Sequence, residues 1–200
     1  MSDEVAAWVR LAARGDEEAR TALALRASTS ALRTAAAVTG SREVAFDIAQ
    51  DVAVDVISGL ARLKDPDRFD AWVYRISSRR TLRAMRRGWS ARAMERPLVD
   101  LGDAGHPSSP DHATASSEQL AARQAIREAL AAIPPRQRLA LALRYVHDLS
   151  DADTAAALGC RLGTAQSLLS RARSALRDQP ALADFGQVAL PEEGIYELRS

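Results

Sequence analysis

Arg79, Arg83, Arg86 and Arg87 stand at i, i+4, i+7 and i+8, with Arg75 one turn earlier, so a single helical ridge would carry five guanidinium groups. Like charges at that spacing repel, and the ridge calls for a compensating anion. Arg80 sits within the same segment, and Phe69, Trp72, Tyr74 and Trp89 lie on or beside it. Arginines interleaved with aromatic faces suit single-stranded nucleic acid, whose phosphates pair with guanidinium and whose bases stack on rings. Trp72 also has a plainer reading as a core residue at a helix start. A second group, Asp47, Gln50, Asp51 and Asp55, falls on one side of a helix whose other side carries Val44, Ile48, Val52 and Val56 at i+4 intervals. By pattern alone that acidic side is a solvated face as readily as a docking surface. A third group follows Gly159: Arg161, Thr164, Gln166, Ser167, Arg171 and Arg173, polar and basic positions of a single helix and its approach.

The chemistry these groups offer is binding rather than bond-making. His106, His112 and His147 stand away from any carboxylate or cysteine cluster with ligand or triad spacing, so neither a catalytic site nor a metal or other cofactor is expected. Charge is concentrated locally. The whole chain of 200 residues has a formal net charge of +1, whereas residues 119–177 hold nine Arg against four Asp plus Glu. A basic excess inside a near-neutral chain is an electrostatic footprint for nucleic acid.

The elements that would position these groups are helical throughout, since apolar residues recur at helical spacing and strand alternation is missing. The expected fold is all-α: two small helical domains joined by a flexible linker, the second a helix-turn-helix domain. A first helix covers about Asp3 to Arg14 and stops at Gly15. Asp16 caps a second that reaches about Val38, where Thr39-Gly40 breaks it, and Ser41 caps a third reaching about Lys64. After the Asp65-Pro66-Asp67 turn a fourth helix spans roughly Phe69 to Arg87. Residues 94–117, rich in Pro, Gly and Ser with acidic residues in excess, read as a linker between a domain at 1–93 and one at 118–177. In the second domain Pro134 and Pro135 close one helix and open the next. Ser150 with Asp153 caps a short helix, Gly159 ends it, and Gly163-Thr164 opens a longer one. That punctuation spells a helix-turn-helix whose second helix would enter a major groove. The tail at 178–200 is acidic and has no sustained period.

An apolar content of 47% allows one or two small cores, and the single Cys160 leaves no internal disulfide. No apolar run approaches the roughly 20 residues of a membrane span, and the N-terminus lacks the order of a signal peptide. A cytoplasmic protein with no membrane insertion is the expectation.

Taken together, FDIAQDV, FDAWVYRI leading into RR, the acidic linker, IPPRQRLALALRYVHDLS and LGCRLGTAQSLLSRARSALR resemble a bacterial RNA polymerase sigma factor of the extracytoplasmic-function class of the sigma-70 family. The resemblance covers about two-thirds of the chain. It implies that Asp47, Gln50 and Asp51 dock core RNA polymerase at its clamp. It implies that the fourth helix, through Trp72, Arg75, Arg79, Arg80, Arg83, Arg86 and Arg87, melts and holds the minus-ten element of promoter DNA. It further implies that Arg161, Thr164, Gln166, Ser167, Arg171 and Arg173 read the minus-thirty-five element, and it makes an anti-sigma protein a further expected partner. The chain departs from the family pattern at Arg79 and Arg83, where Asn and Asp are frequent, and at Gln166 and Leu168, where Lys and Arg are. Two other readings fit the residues: a helix-turn-helix regulator that works without polymerase, and a helical interaction module. The Asp47, Gln50, Asp51 face discriminates the first of these, because only the sigma reading requires it, and the second would lack a steep loss of DNA affinity with salt.

Overall fold

The structure is a computed structural model that describes residues 2–87 and 117–179. Trp89, His106 and His112, the segment read as a linker up to residue 116, and the tail beyond residue 179 lie outside the described residues.

Four helices make the first half: α1 (Ser2–Ala13), α2 (Glu17–Thr39), α3 (Arg42–Gly59) and α4 (Phe69–Arg86). Their ends follow the local chemistry. The Asp16 carboxylate accepts from the Ala19 N–H at 2.8 Å, Ser41 Oγ accepts from the Val44 N–H at 3.3 Å, and Gly40 takes a left-handed φ of 67° to end α2. The third helix stops earlier than its sequence suggests. Leu60–Arg62 tighten into a 3₁₀ turn, and a second such turn at Pro66–Arg68 is capped by Asp65. Leu23, Val52, Val56, Phe69 and Val73 fill the core between these helices.

The second half comprises α5 (Ser117–Ala131), α6 (Pro135–Leu141), a π turn at Ala142–Val146, α7 (Asp151–Leu158) and α8 (Leu162–Arg177). Gly159, at φ 64°, closes α7 with a paired motif: its N–H donates to Ala156 O and the Cys160 N–H to Ala155 O. The longer helix begins at Leu162, one residue before the expected Gly163, and no side chain caps it.

The halves are not separate bodies. Val38 of α2 and Met85 of α4 belong to the same buried cluster as Ile133, Leu139, Leu143, Leu158 and Leu169. Arg138 is almost fully buried, donating from Nη1 to Val38 O at 2.7 Å and from Nε to Ile133 O at 3.0 Å. Beside it, Arg33 Nη2 donates to Val146 O at 2.8 Å. Thr34 Oγ1 donates to Ser30 O and lies 2.7 Å from His147 Nε2, so the neutral ring is the Nε2–H tautomer.

His147 thereby makes the packing acid-sensitive. Its ring is 4.8 Å from that of Tyr74; burial and then the Arg33 charge hold its pKa down to about 4, against a smaller opposing pull from Asp70. The unfolded ring binds its proton near 6.5, so stability is full above that pH and falls as pH drops from 6.5 through about 4. The loss reaches about 3 kcal/mol at most. His147→Gln should therefore flatten the melting-temperature profile across that window, and a profile identical to the parent's would remove His147 as the cause.

Candidate nucleic-acid and polymerase-docking surfaces

On α4 the register separates the arginines. At 100° per residue, Arg75, Arg79, Arg83 and Arg86 form one exposed stripe, Arg87 lies at its margin, and Arg80 points about 100° away. The structure turns Arg80 toward α3, where it forks onto Asp55 at 2.7 and 2.6 Å and reaches Asp51 at 2.8 Å. The Asp55 carboxylate holds that guanidinium above its ordinary range. Arg80 is committed to carboxylates here, unlike the stripe it was grouped with by sequence. Trp72 caps the end of the same stripe but is half-buried, edge-on to Phe69 at 6.2 Å between centroids. It lies over the bare backbone of Gly59, where a Cβ would come within 3.0 Å of the ring.

On α3, Asp47, Gln50 and Asp51 are all exposed on one face. Asp47 has no hydrogen-bond or ion-pair partner among the described residues. The same face and its flank carry two apolar side chains missed in the sequence, Val54 at 65% and Phe46 at 41% exposure, the latter under the Arg42 guanidinium. Val54 falls off the Val44–Val56 stripe, and that was the signal available. An acidic face with an apolar residue at its centre and another on its flank differs from a merely solvated one.

On α8, Ala165, Leu169 and Ala172 are buried, leaving an exposed arc about half the helix wide. Thr164 and Arg171 line one margin of that arc, Gln166 and Arg173 the other, and Ser167 sits between them. Arg161, at the N-terminal approach, is exposed as well. Arg173 Nε donates to the Tyr145 hydroxyl at 2.9 Å, and Ser167 Oγ donates to Gly163 O at 2.8 Å. Leu168 and Leu169, in the middle of the same helix, face inward. The helix thus presents a polar, cationic surface of a width that fits a major groove.

The three basic or acidic groups therefore stay distinct: α3 faces one way with carboxylates, while α4 and α8 each present guanidinium groups to solvent. No helix among the described residues is long and apolar enough to cross a membrane, and no cluster of metal-ligating side chains occurs among them.

Known proteins carry the same parts in the same order. Residues 25–91 match the description Sigma-70 region 2, and residues 123–176 match Sigma-70, region 4. The ECF RNA polymerase sigma factor SigE of Mycolicibacterium smegmatis is 30% identical over 181 residues, 88% of this chain and 68% of that protein. The RNA polymerase sigma-E factor of Streptomyces coelicolor is 38% identical over 107 residues, 52% of this chain and 56% of that protein. The match thus spans about half the length of the Streptomyces relative. A solved structure, "Structure of CnrH in complex with the cytosolic domain of CnrY", shares the fold at a TM-score of 0.59 and 23% identity, covering 91% of this chain and 98% of that one.

Proposed function

This chain belongs to the extracytoplasmic-function class of the sigma-70 family, and from that premise we propose that it binds core RNA polymerase and directs it to promoter DNA without catalysing a reaction itself. The observation that carries the reading is the separation of surfaces. One chain presents an acidic, partly apolar face on α3 and two cationic faces on α4 and α8, one in each half. A regulator acting on DNA alone has no use for the first. Asp47, Gln50 and Asp51 dock the polymerase, with Val54 and Phe46 supplying apolar contact. Arg75, Arg79, Arg83, Arg86 and Arg87, with the exposed edge of Trp72, hold the strand at the minus-ten element. Arg80 acts at one remove, fixing the Asp51 and Asp55 carboxylates that border the docking face. Arg161, Thr164, Gln166, Ser167, Arg171 and Arg173 read the minus-thirty-five element from the major groove. Work on the polymerase places the chain in the cytoplasm, and family membership makes an anti-sigma protein its expected regulator.

Reconstitution with core polymerase tests this, with complex formation followed by gel filtration and run-off transcription on genomic fragments. Initiation from discrete sites is the expected result. DNA binding without a polymerase complex would overturn it in favour of a polymerase-independent regulator. On the promoter so found, Arg171→Ala should weaken duplex binding on all sequences and lower the salt dependence, whereas Gln166→Ala should change sequence preference. Equal losses on every sequence for both would contradict that division.

A further inference from the structure

Tyr145 precedes the helix-turn-helix formed by α7 and α8, yet its side chain reaches the reading helix. It stands in the π turn at Ala142–Val146 and is 38% exposed, although the residues around it are anchored. Leu143 is fully buried, and Arg144 Nη1 donates to Leu149 O at 2.9 Å, with Asp148 and Asp151 each 3.6 Å from the same guanidinium. A π turn adds one residue to a helical ring and so redirects the side chains beside it, and such turns recur at functional sites. Here it delivers a phenol to the surface from a fixed backbone.

Across from that phenol lies α8. Arg173 Nε donates to the Tyr145 hydroxyl at 2.9 Å, joining two residues 28 apart in the chain. The bond fixes the plane of the guanidinium, whose five N–H groups form a rigid fork, and a phenol oxygen takes up two of them at most. Because the acceptor is neutral, the guanidinium is oriented without losing its charge. Tyr145 serves as acceptor in this contact, so its own O–H proton is still to be given, and among the described residues it donates to none. Arg173 lies on the Gln166 margin of the α8 arc, two turns beyond Gln166; Arg177, one turn further along the same side, is exposed. Two guanidinium groups at i and i+4 repel, so this edge of the helix is more favourable with an anion beside it. A duplex backbone passes along such an edge when α8 lies in the major groove. Side chains at the centre of the arc then meet base edges, and those at its margins meet phosphates.

We propose that Tyr145 and Arg173 form one phosphate-binding site for the backbone of the minus-thirty-five duplex, in which Tyr145 orients the guanidinium and donates its own O–H to the same phosphate. The proposal rests on the duplex-reading role given to α8 above and adds Tyr145, which lies outside that helix. A phosphate oxygen accepts well from a charged donor and a neutral one together, and a donor pair already held in place loses less rotamer freedom on binding than two independent side chains. The site carries no base information. It fixes the register at which Gln166 meets its base.

Fluorescence anisotropy of the full chain on a mixed-sequence duplex, alone and with core polymerase present, tests the site, since a phosphate contact needs no particular sequence. Tyr145→Phe removes only the oxygen and should weaken binding about five- to tenfold at an unchanged melting temperature. Arg173→Ala should weaken it further and lower the slope of log affinity against log salt by about 0.9. The double variant decides whether the two side chains act together. With Arg173 already replaced, Tyr145→Phe should cost only about twofold, because both groups serve a single phosphate. Losses that simply multiply, or a Tyr145→Phe variant that binds like the parent, overturn the site. A lowered melting temperature for Tyr145→Phe overturns it as well, by giving the hydroxyl a role in the fold instead. Failure to join polymerase while the duplex results hold would overturn the promoter-directing reading alone, whereas a parent that binds no duplex in either form would overturn the site together with the duplex-reading role of α8.

Discussion

Asp47→Arg combined with Asp51→Arg should eliminate the complex with core polymerase, lowering affinity by at least about a hundredfold, because a charge pattern that steers and registers a partner becomes repulsive when reversed. Both carboxylates are exposed on α3. Asp47 carries no bond among the described residues, so its reversal breaks no contact seen there. Asp51 gives up one contact to Arg80, but the paired bonds from Arg80 to Asp55 at 2.7 and 2.6 Å remain. A half-exposed ion pair of this kind is worth at most about 1 kcal/mol. Circular dichroism and melting should stay close to the parent's while gel filtration shows no shared peak. Retained co-elution would withdraw the docking role from this face. Asp55→Ala serves as the control that separates the two jobs of the acidic cluster: it removes the paired bonds of Arg80, leaves its contact to Asp51 and the exposed carboxylates in place, and should lower affinity far less than the double reversal.

Leu169→Ala should produce the largest stability loss of any single change in the reading helix, about 2–5 kcal/mol, comparable to a sizeable part of the whole stability of a small domain. Leu169 is fully buried at the centre of the cluster formed by Leu139, Leu143 and Leu158, on the side of α8 opposite its exposed arc. A cavity at that point loosens the helix against α6 and α7, so duplex binding should fall with it even though the side chain reaches no DNA. The melting temperature should drop by roughly 10 °C or more. Ser170→Ala, one residue along and exposed, should stay within about 0.5 kcal/mol of the parent. Equal melting temperatures for the two variants would mean that α8 is not anchored where the structure places it.

Local chemistry determined a good deal of this protein before any tertiary contact formed. Asp16, Gly40, Ser41, Ser150 and Gly159 bound their helices as their side chains or backbone freedom dictate, because capping is settled within three or four residues. Helical spacing likewise placed Arg75, Arg79, Arg83 and Arg86 on one stripe and Asp47, Gln50 and Asp51 on one face, since periodicity alone fixes which side chains share a side. What periodicity cannot supply is the partner on the neighbouring helix. Arg80 adjoins the basic stripe in sequence, yet the approach of α3 brings Asp55 and Asp51 within bonding distance and takes it out of the cationic surface. Val54 already stands off the apolar stripe in the sequence, but how far it and Phe46 stay in solvent is set by the packing of α3, and Leu168 and Leu169 are letters of a reading helix that only α6 and α7 turn inward. The joint between the halves is the furthest from sequence of all. Arg138 and Val38, or His147 and Thr34, are separated by about a hundred residues, and their bonds depend on where two independently capped helical units come to rest. Short-range rules thus wrote the elements and their faces, and the tertiary structure decided which charges are paired, which apolar groups are bare and how the two halves are held together, because those outcomes depend on distances that no local rule contains.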